Sequence, residues 1–215
     1  MQVKELLKLL LPLVLIPITL YAVLLFGHDA GNAIIGLAFL VSILKFANPK
    51  ERRFIIILAF IAALAETGNV AIGFYKYANV TLVPLWIPLG WSVVGMYIFK
   101  NLQTLKKINN NVAYGLSAVF YFIIMYFAGL NQANVITSLF AVITIYVLTK
   151  SSKFPASLFL FTGIVGAIIE TSGTMLKVWS YLDSLGNIVP APLAYVAIGY
   201  SSLILVAAWI SGIED

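Results

Sequence analysis

The chain has 215 residues, of which 62% are hydrophobic and 10% charged, with a mean hydropathy of +1.03. Soluble domains carry about 25% charged residues, so a water-soluble globule is excluded and a polytopic membrane protein is expected. Without cysteine and with one histidine, His28, disulfides, thiolate centres, haem pairs and multi-histidine metal sites are excluded too, and neither metal nor cofactor is expected.

The net charge of +5 sits in short loops between apolar runs, a pattern of membrane orientation and not of nucleic-acid binding. A hydrocarbon core of about 30 Å needs about 20 apolar residues per helix. Runs near 8–26, 31–48, 54–73, 82–100, 112–129, 133–149, 157–176 and 190–210 meet that requirement. The first is longer than a signal h-region and lacks a small-residue cleavage site, so it is expected to remain as a span. Gly27-His28-Asp29 ends it, and Asn48-Pro49-Lys50-Glu51-Arg52-Arg53 separates the second run from the third. Of the 13 bases, only Lys76 and Lys177 fall on the far side of this threading. By the positive-inside rule both termini are then cytoplasmic, in a cell membrane. The expected fold is an all-α polytopic transmembrane helix bundle of about eight helices.

Two stretches read alike. Glu66-Thr67-Gly68-Asn69 leads to Tyr75-Lys76-Tyr77 and then to Pro84 and Pro88; Glu170-Thr171-Ser172-Gly173 leads to Trp179-Ser180-Tyr181 and then to Pro190 and Pro192. Glu66 and Glu170 lie 104 positions apart, as do Tyr77 and Tyr181. The spacing predicts an internal duplication: a first four-helix repeat over 1–100, a cytoplasmic linker over 101–111, and a second repeat over 112–215. Four spans per unit would make the repeats parallel, related by an axis along the membrane normal.

Glu66 falls about 12 residues into the third helix, or about 18 Å at 1.5 Å per residue, and Glu170 is similarly deep in the seventh. A charged side chain at a bilayer centre costs about 2.5–3.5 kcal/mol even on the lenient insertion scale. Both are therefore expected to face the bundle interior. A buried carboxylic acid can donate a hydrogen bond or a proton, which alkene protonation requires; alternatively each Glu bonds a neighbouring helix through Thr67, Thr171 or Asn69. Small residues surround them, Gly68, Ala71 and Gly73 in the first copy and Gly163, Gly166, Ala167, Ser172 and Gly173 in the second, and would let helices approach closely or leave room for a ligand. Tyr75, Tyr77, Trp86, Trp91, Trp179 and Tyr181 fall at the same helix ends. They form either an interfacial aromatic belt or an aromatic-walled pocket whose ring faces could stabilise a carbocation. The candidate catalytic residues are Glu66 and Glu170. The candidate substrate-binding residues are Asn69, Tyr75, Tyr77, Trp86, Trp91, Thr171, Trp179 and Tyr181. His28 and Asp29 read as a solvated turn.

At Glu66, Gly73-Phe74-Tyr75-Lys76-Tyr77 and Val83-Pro84-Leu85-Trp86-Ile87-Pro88-Leu89-Gly90-Trp91 the chain resembles the membrane-embedded carotenoid hydratase ("carotenoid biosynthesis protein") family. That family carries a helix-borne Glu, a Gly-Phe-Gly-x-Tyr-x-Tyr turn and a Val-Pro-Leu-x-Ile-Pro-Leu-x-Trp run. The second glycine of the turn is absent here, and related uncharacterised membrane families have a similar Glu, Tyr and Pro-x-Trp pattern. The resemblance implies an isoprenoid lipid as substrate, with hydration or ring closure after alkene protonation. Two other readings stand beside it: a proton- or cation-coupled transporter with a midplane site, and a non-catalytic subunit of a larger membrane complex. The expected partners are membrane lipid or isoprenoid, with a homo-oligomer or partner membrane subunits as further options.

Overall fold

The computed structural model describes residues 3–128, 139, 143, 146–147, 149–150, 154–183, 185–190 and 192–213. Helices α1 (Val3–Phe26) and α2 (His28–Val41) form a hairpin reversed at Gly27, whose φ of 80° is one that L side chains rarely adopt. A π-helical turn, Ser42–Phe46, ends α2. Helix α3 (Pro49–Ala71) starts on a capping box: Glu51 N donates to Asn48 Oδ1 at 2.9 Å and Asn48 N donates to Glu51 Oε2 at 2.8 Å, with Pro49 opening the first turn. Lys100 Nζ donates to the same Glu51 carboxylate at 3.0 Å, tying the start of α3 to the end of α4 (Trp86–Lys100).

The expected linker is not a plain tether. It holds a single helical turn, α5 (Leu102–Leu105), before α6 (Asn110–Ala128). Ser157 Oγ donates to Leu105 O at 2.6 Å and Ala156 N donates to Asn110 Oδ1 at 3.0 Å, so this segment seats the start of α7 (Ala156–Met175). Helix α8 (Leu193–Ser211) closes the chain. The predicted runs other than 133–149 overlap these helices; 133–149 lies mostly outside the described residues.

Helix α3 packs on α4 and α8, α7 packs on α8, and α2 packs on α1 and α4. Phe54, Leu58, Leu158, Val165 and Ile204 fill the contacts between them. The α3–α4 contact is close because Gly95 has no Cβ; one added there would run into Leu58. Large apolar side chains cover the outside, Phe60 at 66% exposure and Trp209 at 75% among them, a surface suited to lipid and costly in water. Three helical stretches, His28–Phe46, Pro49–Ala71 and Ala156–Met175, are long and apolar enough to cross a membrane. The described structure is thus mostly helical, with three helices fit by length and composition to span a membrane.

A three-stranded antiparallel sheet departs from the all-α expectation. Its strands are β1 (Tyr75–Tyr77), β2 (Trp179–Leu182) and β3 (Ile188–Val189), in that order. Tyr-Lys-Tyr and Trp-Ser-Tyr alternate bulky aromatic and polar side chains with a period of two, and aromatics favour strands. The register is Tyr75↔Tyr181, Lys76↔Ser180 and Tyr77↔Trp179. A shift of 104 positions exchanges the first and last of these pairs and leaves the middle one in place. The flanking bonds obey the same rule: Ala78 N donates to Val178 O at 2.8 Å, and Leu182 N donates to Phe74 O at 3.0 Å.

Candidate functional site

Glu66 and Glu170 each lie five residues before the last residue of their helix. Both helices then end in a Schellman motif. Phe74 N donates to Asn69 O and Val178 N to Gly173 O, each at 2.9 Å, across a left-handed residue, Gly73 (φ 74°) or Lys177 (φ 56°). The motif turns the chain back along the helix it has just left. The strand that follows therefore brings the tyrosine eleven positions on back to the carboxylate.

Tyr77 Oη donates to Glu66 Oε2 at 2.8 Å, and Trp91 Nε1 donates to Glu66 Oε1 at 3.0 Å. Tyr181 Oη at 2.7 Å and Trp179 Nε1 at 2.8 Å both donate to Glu170 Oε2, while Tyr200 Oη donates to Glu170 Oε1 at 3.0 Å. Each carboxylate is 8% exposed. The two sets join where the Trp91 and Tyr200 rings meet, tilted 33° to one another. Burial, and after it the Glu66 carboxylate, push the Tyr77 phenol well above its ordinary range, so it stays a donor.

Two cavities flank the pair, and both carboxylates line each of them. The first is a narrow cleft among α1, α2, α4 and α7 with a cavity volume of about 60 Å³. The second lies between α3 and α8 with about 310 Å³. The second is at the lower end of the range of small-molecule sites and the first is well below it.

Of the candidate binding residues, Tyr77, Trp91, Trp179 and Tyr181 are the donors just described. Tyr75 lines both cavities and packs edge-on against Tyr77 and Tyr181. Trp86 lines the narrow cleft, and Asn69 lines the α3–α8 cavity. These aromatics are buried and turned inward, so an interfacial belt does not describe them. Thr171 is the exception. It is exposed and lines neither cavity, because the residue after Glu170 points about 100° around the helix. Hydrogen bonding of either Glu through Thr67, Thr171 or Asn69 is replaced by bonding to phenols and indoles.

Two of the glycines near the carboxylates give room to the site's own rings. A Cβ on Gly173 would run into the Trp179 indole, and one on Gly166 would come 3.0 Å from the Tyr200 ring. They make room for two of the donors to Glu170.

Sequence reasoning missed Tyr200 and His28. Tyr200 is one of two phenols in an apolar run, with Tyr195, and its signal was that a hydroxyl there needs a partner. His28 is not a solvated turn. Its Nε2 lies 2.7 Å from Ala78 O, and Trp86 Nε1 donates to its Nδ1 at 3.2 Å. A carbonyl only accepts and an indole N–H only donates, so the ring carries its hydrogen on Nε2.

The arrangement places two carboxyl groups, held by five neutral donors, at the border of two largely apolar spaces. It can store a proton, pass one to a bound group, and present ring faces to a positive centre. Comparison of the chain with protein-family models, with curated proteins and with solved structures finds no match.

Proposed function

We propose that the protein is an integral membrane catalyst that protonates a carbon–carbon double bond of an isoprenoid-type lipid and lets water or a second alkene of the same molecule capture the cation. The observation that carries this reading is that Glu66 and Glu170 border the same two cavities, whose remaining walls are mainly aliphatic and aromatic. In this reading the Glu66 carboxyl proton and the alkene π pair form a new C–H bond. The neighbouring carbon becomes cationic and faces the rings of Tyr75, Tyr77, Trp86 and Trp179. A water oxygen then forms the C–O bond, and its surplus proton passes to a carboxylate of the pair. For ring closure, a second alkene captures the cation and a proton is lost from carbon to the same pair. Glu170, with three donors against two for Glu66, is better suited to bear charge, and Glu66 to hand over the proton.

The same reading takes the chain as two parallel four-helix repeats with cytoplasmic termini. The 104-position regularity of the sheet and helix exits and the uneven placement of bases support it. A packing role without catalysis, in a subunit of a larger membrane complex, draws support from one observation: the three donors already bonded to Glu170.

The test is to purify the protein with its lipids, extract the apolar molecules and identify them by mass spectrometry, alongside Glu66→Gln and Glu170→Gln. A hydrated or cyclised isoprenoid with wild type, and its alkene precursor with the variants, is expected. The same ordinary lipids in all three samples would count against catalysis and favour the packing role.

A further inference from the structure

The two cavities differ in whether their polar groups are already bonded. Glu66, Tyr75, Trp91, Glu170 and Tyr200 belong to both and form the wall between them. Every side-chain hydrogen-bonding group that the narrow cleft has to itself is bonded within the protein. Thr19 Oγ1 donates to Leu15 O at 2.9 Å, the Tyr77 hydroxyl and the Trp179 indole donate to the carboxylates, and the Trp86 indole donates to His28. The rest of that cleft's own lining is aliphatic or glycine.

The α3–α8 cavity is different. Asn69 and Ser202 line it, both half-buried, and neither side chain has a hydrogen-bond partner among the described residues. An amide and a hydroxyl inside a membrane bundle cost free energy unless water or a polar ligand reaches them. A polar, roomy cavity is where water is held.

We propose that the cavities divide by polarity: the narrow cleft, with room for a slender apolar segment and no polar group left to hold water, stays dry, and the α3–α8 cavity admits water, held by Asn69 and Ser202 on the opposite side of the carboxylate wall. What the water does rests on the acid-catalysis reading, and its placement does not. In that reading the water oxygen crosses the wall to form the C–O bond, and its proton stays on the carboxylate pair. Asn69 and Ser202 are then positioning residues for water.

The chain has no cysteine, so single cysteines can be introduced without background. Asn69→Cys and Ser202→Cys are compared with Leu20→Cys and Ile35→Cys from the narrow cleft, each folded variant reconstituted in lipid nanodiscs. The probe is a small, charged, water-soluble methanethiosulfonate, and intact mass reads the modification. Thiolates form where water reaches, so labelling about tenfold faster at 69 and 202 than at 20 and 35 is expected. Equal labelling at the four positions, labelling confined to 20 and 35, or none at all overturns the proposal. Asn69→Leu and Ser202→Leu provide a second readout in ¹⁸O-water: labelled alcohol is expected to fall while any product of proton transfer alone persists. If no product forms in any sample, the catalytic reading fails, and the thiol labelling still decides where water sits.

Discussion

Glu66 and Glu170 stand at the same distance from a helix end, meet the tyrosine at the same spacing and leave through the same turn, yet they are held differently. Glu170 has three donors and Glu66 has two. The difference traces to positions that correspond by the 104-residue shift. Trp179 bonds Glu170 because Gly173 clears space for its indole. At the corresponding places the first half has Tyr75, which makes no bond to Glu66, and Asn69, which lines the α3–α8 cavity. The two carboxylates are equally buried, and one of them is held by a third donor.

The largest expected effect comes from removing the carboxylates. Glu170→Leu leaves three buried donors without an acceptor and Glu66→Leu leaves two, at about 1–3 kcal/mol for each donor. Thermal unfolding in detergent is expected to show the greater loss for Glu170→Leu; an equal or reversed order would mean that the extra donor adds nothing. The corresponding positions 173 and 69 should separate next. Gly173→Ala is expected to cost about 1–3 kcal/mol through overpacking against Trp179 and to shift tryptophan fluorescence, whereas Asn69→Ala leaves both unchanged. The smallest effect belongs to the two left-handed turn residues. Lys177→Gly is expected to stabilise and Gly73→Ala to destabilise, each by about 1 kcal/mol, because a Cβ is strained at positive φ. Opposite signs in the same unfolding measurement would support a common turn.

Much of this was legible in the chain. Apolar run length marked the helices, and two carboxylates at matched depth pointed to the pair. The matched Tyr spacing also held the clue to pairing, since a period-two Tyr-Lys-Tyr cannot continue a helix after Gly73. The strand partner was not legible, because β1 and β2 are about a hundred residues apart and pairing is a tertiary choice. Tyr200 was hidden for the same reason. It reaches Glu170 across a helix contact, and nothing adjacent in sequence marks it. Thr171 misled because adjacency in sequence is divergence on a helix. The small residues did not say which neighbour they make room for, because a missing Cβ can admit a ring as readily as a neighbouring helix.

His28 has a mechanical consequence. It sits at the corner where α1 turns into α2, and its ring fastens that corner to the β1–α4 connection through Ala78 and to α4 itself through Trp86. Asn32, one turn further on, adds a third rivet by accepting from Trp86 N at 2.9 Å. The α1–α2 hairpin, already packed on α4, is thereby riveted at its corner as well. Since the hairpin forms a wall of the narrow cleft, these three bonds brace that wall against the β1–α4 side of the molecule, and a change at His28 would be felt at Trp86 before it reached the carboxylates.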